Sequence, residues 1–368
     1  MSNEGTVSIA LAGDVFIGKR LPRPEEPGAE PVRALFERMA GADMTFINLE
    51  SPYSERGYPA EKYTFLRSHP SLIDELDEMG VDVVTLANNH MLDYGYDALF
   101  DTLSLLDAKG VRRVGAGRNL EEAYAPAIIE KNGVRVAFLG YASTLPLGCA
   151  AGEKRPGLAP IHIFSAFVLE PSPRTQEQPG TPPPVKTFPL QADITRMQNV
   201  VATAKQEADI VIIAGHWGLA SRYDLAEYQT CVGRALVDAG ADVVLGHHSH
   251  TLQAVEIYKG KPILYGIGNF IFHELPDVGS PELSYGGVMT PELIKTRMPR
   301  ETALFELTVG KDGVADLGFV PAWIDDAGNS GLVGGERAEE VIDLVERLSA
   351  EFDTRVTRKD GVGKFVLG

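Results

Sequence analysis

The stretch Ala241-Asp-Val-Val-Leu-Gly246-His247-His248-Ser249-His250 reads as a short buried strand, then a glycine, then three imidazoles within four residues. The chain has 8 histidines, and three of them stand here. Glycine permits a sharp turn, so the imidazoles beyond it can converge outside a sheet edge as a metal-binding corner. Adjacent side chains point apart in an extended chain, so His247 is the expected bystander of the three.

Other apolar runs end in the same way. The first ends at Gly13-Asp14, the second at Asn48-Leu49-Glu50, the third at Ala87-Asn88-Asn89-His90 and a fourth at Gly215-His216. A carboxylate, carboxamide or imidazole just past each strand end places all of them on the edge where open α/β sheets bind ligands. Mixed imidazole and carboxylate donors suit a divalent transition metal such as Mn, Zn, Fe or Ni, whereas Ca and Mg prefer oxygen-only shells. Any one of these residues has an ordinary structural explanation, such as a cap, a turn or a buried neutral histidine. Five such endings together argue for one site.

The intervening sequence supplies the frame. Strand-like runs at 7–12, 44–49, 81–87, 134–141, 210–214, 243–245 and 263–267 alternate with helical patterns at 31–39, 71–79, 98–108, 194–207 and 225–239. This alternation predicts an α/β fold with a largely parallel sheet. Asn132-Gly133 and Lys311-Asp312-Gly313 sit at the centres of two hairpins, so the sheets should be mixed. The segment 156–189 holds nine of the 24 prolines and no period, as either a passive insertion or a lid. A second irregular segment spans 273–296. The expected organisation is one catalytic domain over 1–330, with 331–368 as a helical extension packed on its outside.

At 368 residues, with 44% hydrophobic and 23% charged residues, the chain can bury a large core. Its 51 acidic and 34 basic side chains leave a net charge of −17, which disfavours nucleic acid and anionic membrane as partners. Cys149 and Cys231 are too few for a disulfide framework and suit a reducing compartment. The N-terminal sequence lacks a signal-peptide pattern, and no run is apolar enough to span a bilayer, so the expected location is cytoplasmic. Oligomeric state is not legible.

The motifs Gly13-Asp14-Val, Phe46-Ile-Asn-Leu-Glu50, Leu86-Ala-Asn-Asn-His90-Met-Leu-Asp93-Tyr-Gly95, His216-Trp217-Gly218, Gly246-His-His-Ser-His250-Thr-Leu-Gln253 and Tyr265-Gly-Ile-Gly-Asn-Phe270 resemble the CapA family of poly-γ-glutamate capsule proteins. That family resembles the calcineurin-like metallophosphoesterases. The likeness runs from about residue 7 to 272. It implies a four-layer αββα sandwich of metallophosphoesterase type, with mixed sheets and two metal ions. On that likeness Asp14 and His250 would hold one ion, and Asn89, His216 and His248 the other. Glu50 would bridge them, and His90, oriented by Asp93, would donate a proton to the leaving group. Arg20, Arg67 and Asn269 would face a small or short anionic substrate. Two positions depart from the pattern: Phe16 stands where a metal-binding histidine is usual, and Glu50 where an aspartate is usual. The first metal should therefore have fewer protein ligands.

Two functions follow as expectations. One is a metal-dependent hydrolase that uses a metal-bound hydroxide on a phosphoester, or on an amide or lactone. The other is a non-hydrolytic, polymer-binding component of poly-γ-glutamate assembly.

Overall fold

The structure, a computed structural model, describes residues 5–62, 64–168, 177, 180, 183–273 and 298–367. Much of the irregular segment 273–296 and the middle of 156–189 lie outside the described residues.

Two mixed sheets face each other. In the first, Thr6–Phe16 (β1), Met44–Leu49 (β2), Val83–Thr85 (β3) and Arg112–Val114 (β4) run parallel. Asn269–Phe272 (β15) also pairs with β1 in parallel. The antiparallel strands Glu301–Gly310 (β16) and Gly313–Ile324 (β17) extend the other edge, joined by Ser330–Leu332 (β18), Val356–Lys359 (β19) and Val362–Phe365 (β20). The second sheet has six strands: Ala127–Lys131 (β6), Val134–Ala142 (β7), Ile210–His216 (β11), Val243–His247 (β12), Val255–Tyr258 (β13) and Lys261–Leu264 (β14). Strands β7, β11, β12 and β14 are mutually parallel.

Alternation along the strands explains the layers. Val7, Ile9 and Leu11 of β1 enter one core with Val136 and Phe138 of β7, Ile210 and Ile212 of β11, and Val243 and Leu245 of β12. Ala10, Ala12 and Val15 face the opposite way. There they meet Glu30–Ala40 (α1), Gly95–Lys109 (α2) and a 3-10 helix, Pro70–Met79. On the far side of the second sheet, Val211, Ile213 and Val244 pack on Leu120–Tyr124 (α3), Gln191–Glu207 (α4) and Glu227–Asp238 (α5). The order is helices, sheet, sheet, helices, the expected αββα sandwich.

Several local expectations change. The segment 70–79 is a 3-10 helix, which buries Ile73, Leu76 and Met79 and stops at Gly80 with φ +63°. At the C-terminus, Glu336–Ser349 (α6) is amphipathic, with Glu336, Glu339, Glu340 and Asp343 exposed on its outer face. Its Val341, Ile342 and Val345 join the core between the sheets, and it touches β16, β17 and β20 of one sheet and β13 of the other. After it, β19 and β20 turn at Asp360-Gly361 and pair onto β17, so the extension is part helix and part sheet. The described ends of 156–189 form strands. Gly157–Leu158 (β8) pairs with Ala116–Gly117 (β5). Ile163–Phe167 (β9) and Val185–Pro189 (β10) form a hairpin that contacts α5. No helix among the described residues is long and apolar enough to cross a membrane.

The carboxyl ends of β1, β2, β11 and β12 meet at one edge, where close backbone contact depends on glycine. A Cβ on Gly246 would lie 1.9 Å from the Tyr265 carbonyl oxygen and 2.4 Å from Trp217 Nε1. Both neighbours are buried and cannot retreat cheaply. Gly246→Ala is therefore expected to destabilise the metal-free protein by about 3 kcal/mol, the upper end for overpacking. Urea unfolding measures it: a midpoint equal to wild type would show that this contact relaxes freely.

Candidate metal centre

Each site residue is placed by a strand end. Gly13 brings β1 against Gly268, whose carbonyl accepts the Asp14 amide at 2.9 Å. Asp14 is flanked in register by Asn48 of β2 on one side and Asn269 of β15 on the other. Glu50 follows β2, and the turn Asn88-Asn89-His90 follows β3. From the opposite sheet, His216 and His247 end β11 and β12 as a register pair. The chain then turns through His248 at φ +83° and His250 at φ +55°. Two non-glycine residues in the left-handed region are unusual, and such strain concentrates at functional sites.

These ends converge on Glu50. Its carboxylate is fully buried, and neither oxygen has a hydrogen-bond partner among the described residues. His216 Nε2 lies 3.7 Å from Glu50 Oε1, and His250 Nε2 lies 3.9 Å from the same atom. Asp14, Glu50 and His250 each offer a ligand atom, all within 4.8 Å of one another, a group that could hold a metal ion. On the other flank His216 Nε2 is 2.7 Å from Asn89 Oδ1, and the His216 and His248 rings are 4.8 Å apart. Glu50 thus stands between the two expected ligand sets.

The electrostatics are those of two buried carboxylates among imidazoles. Burial pushes the Glu50 carboxyl well above its ordinary value, and the Asp14 charge adds to this. Burial would raise Asp14 too, but hydrogen bonds from His247 and His250 carry it well below. His250 is pulled down by burial, yet Glu50 and Asp14 overcome this and raise it to about 9. These shifts express one demand: two facing carboxylates need positive charge, and without a metal a proton on this cluster supplies it. His216 is held well below its ordinary value by burial and by His248. His248 falls to about 3 by burial and by His250. Neutral imidazoles are what a cation requires. The His248 Nδ1 is also buried without a hydrogen-bond partner among the described residues. Carboxylate, carboxamide and imidazole donors together fit Mn, Zn, Fe or Ni.

His90 stands beside this group. Its Nδ1 meets Asp93 Oδ2 at 2.6 Å, and burial lowers the ring's affinity for a proton while Asp93 opposes that. Lys62, unremarked in the sequence, reaches Asp93 Oδ1 at 2.7 Å, the Asn89 carbonyl at 2.8 Å and His90 Nδ1 at 3.3 Å. The expected substrate-facing residues diverge. Arg20 is exposed and paired with Glu26. Arg67 is exposed and stacks over the Tyr94 ring, 4.1 Å from its centroid. Asn269 is buried, and its Oδ1 meets His250 Nδ1 at 2.7 Å, which orients that ring. His247 is no bystander: its Nδ1 lies 3.0 Å from Asp14 Oδ1. Asn48 donates to the same oxygen at 2.8 Å, and Asn88 donates to Asn48 Oδ1 at 3.0 Å.

The class defined here is an αββα sandwich with a buried carboxylate–imidazole group at the strand ends. Residues 8–274 match the family described as "Bacterial capsule synthesis protein PGA_cap", and the chain belongs to that family. It is 30% identical over 279 residues to "PGA biosynthesis protein CapA" of Bacillus subtilis (strain 168), a match covering 74% of this chain and 65% of that protein. It thus spans about two thirds of that relative's length. It is 31% identical over 309 residues to a "Probable polyglutamine synthesis accessory protein" of Mycobacterium tuberculosis, covering 73% of this chain and 75% of the relative. Among solved structures, a putative 5'-nucleotidase from Staphylococcus aureus in complex with alpha-ketoglutarate aligns over 92% of this chain and 58% of its own, at 14% identity and a TM-score of 0.46.

Glu50 yields a stability test. A carboxyl held above its ordinary value weakens the metal-free fold as pH rises through that raised value, and the penalty vanishes below the ordinary carboxylate range. Metal-free Glu50→Gln should therefore melt a few degrees above metal-free wild type at about pH 8, with the gap closing toward about pH 4. Scanning calorimetry across that range checks it. An equal or lower melting temperature at the alkaline end would mean that Glu50 is already neutralised within the protein.

Proposed function

We propose that the chain is a metal-dependent hydrolase acting on a phosphoester, or on an amide or lactone, of a small anionic substrate. The observation that carries this reading is the buried, unpartnered Glu50 carboxylate between His216 and His250, with His90 and Asp93 alongside. Asp14 and His250 would hold one ion, Asn89, His216 and His248 a second, and Glu50 would bridge. Bound there, divalent ions supply Lewis-acid polarisation of the electrophile and activation of water.

The remaining chemistry belongs to the chain. His90 gives its Nδ1 to Asp93, which fixes the ring and leaves Nε2 as the atom that delivers a proton to the leaving group. Asp93 partly offsets burial, which on balance lowers the ring's affinity for a proton. Lys62 holds Asp93 from its other oxygen and ties it to the Asn89 backbone, so ligand turn and proton donor are one rigid unit. Asn269 keeps the His250 Nδ1 occupied, which leaves its Nε2 toward Glu50.

The names of the relatives favour a second reading, a non-hydrolytic component that binds the end of a poly-γ-glutamate chain. A screen of small phosphoesters, amides and lactones with added Mn or Zn separates the two. Turnover that chelation abolishes supports the hydrolase, while polymer binding without turnover supports the second. For the hydrolase, His90→Ala should lower turnover by about 10²–10⁴-fold with metal content unchanged. Elemental analysis beside the rate measurement decides this: loss of metal in that variant would make His90 a ligand.

A further inference from the structure

Asp14 carries more hydrogen bonds than a metal ligand needs, and their source is informative. Its Oδ1 accepts Asn48 Nδ2 at 2.8 Å and faces His247 Nδ1 at 3.0 Å. Its Oδ2 accepts the His248 backbone amide at 3.1 Å. The His250 Nδ1 contacts both Oδ2, at 3.3 Å, and Asn269 Oδ1, at 2.7 Å, so its one hydrogen is shared with the shorter contact to Asn269. A carboxylate oxygen has two lone pairs. Oδ1 has both filled by short bonds, whereas Oδ2 holds the His248 amide and only the longer, shared His250 contact. The carboxylate is thus held at one oxygen and open at the other.

Phe16 takes no part in this. It packs with Leu66 and meets the Phe272 ring edge-on. The imidazole that touches Asp14 comes instead from the opposite sheet. His247 is buried at the end of β12, and its ring lies 6.3 Å from the Phe46 ring in the core between the sheets. To give Asp14 a hydrogen bond, His247 must carry its proton on Nδ1, and its Nε2 then has no hydrogen bond to give. That atom has no partner among the described residues, so no competing acceptor draws the proton to it.

We propose that His247 is a positioning residue for the metal site: it acts through Asp14, and with Asn48 fixes Oδ1 so that Oδ2 alone faces a cation. This rests on the reading of Asp14 as a metal ligand. Partners behind a ligand fix its orientation and commonly set affinity by one or two orders of magnitude.

Substitutions at 247 test it by metal affinity, with no need of a substrate. Asparagine carries an N–H donor close to the position of the imidazole Nδ1, glutamine carries one nearer Nε2, and leucine carries none. Titration calorimetry of the metal-stripped full chain with Mn or Zn should give His247→Asn within about threefold of wild type, and His247→Gln and His247→Leu weaker by about 10–100-fold. Melting of each metal-free variant reports whether it folds, and the Asn–Gln contrast suffices if the leucine variant does not. Wild-type binding matched by His247→Gln, or His247→Asn as weak as His247→Gln, overturns the proposal and leaves the metal centre standing. A wild-type chain that binds neither metal overturns both.

Discussion

A carboxylate buried without a hydrogen-bond partner among the described residues has to be balanced, and Glu50 sets the terms for everything around it. Moving such a charge out of water costs several kcal/mol even after relaxation. Asp14 nearby makes matters worse, since two facing carboxylates repel. Polar residues from six chain segments meet at this point, and none of them gives Glu50 a hydrogen bond. Donors go to Asp14, to Asn48 and to the Asn88–His90 turn, while the two Glu50 oxygens stay bare. That selectivity is costly for a merely structural carboxylate and reasonable for one that awaits a cation.

The sandwich makes this convergence possible. A parallel strand delivers its last residue to the same edge as its neighbours, and two sheets packed face to face bring two such edges together. Closeness then depends on the backbone. At Gly13 and Gly246 any side chain would overlap a carbonyl oxygen, that of Gly268 and that of Tyr265, so these glycines hold the ends of β1 and β12 tight against the 265–268 segment, and His247 reaches from one sheet to Asp14 of the other. The strained turn at His248 and His250 follows at once, and tight strand packing before it leaves that turn little freedom to relax.

What the sequence discloses follows from this geometry. Strand ends are legible because period-2 apolar runs stop abruptly at polar residues, and Asn132-Gly133 is legible because its left-handed φ values need those residue types. The rule for extended chain sets His247 aside as a ligand and is silent on its contact with Asp14, which it makes from the end of β12 just before the backbone turns at His248. Lys62 lies in irregular chain, 28 residues before His90, with no pattern to mark it. Asn48 sits inside a quoted motif yet looks like ordinary strand sequence, because its role depends on a partner 34 positions away. The Asp360-Gly361 turn carried a hairpin signal in plain view. The partners of α6 carry no such signal, since amphipathic spacing gives a helix an apolar face without saying which strands cover it.

Charge then constrains what the site can accept. The chain as a whole carries −17, and the centre adds two buried carboxylates, Asp14 and Glu50. The basic side chain in contact with the proton-donor unit, Lys62, is already engaged by Asp93. Arg20 is taken by Glu26, and Arg67 lies over Tyr94. An anionic group approaching such a surface meets repulsion unless the field is reversed locally. Two divalent cations would more than offset two carboxylates and leave net positive charge where the protein's own arginines supply little. On this argument substrate binding and metal binding are coupled: the metal-free protein should be a poor binder of anions, because the cations that would activate the substrate are also what would attract it.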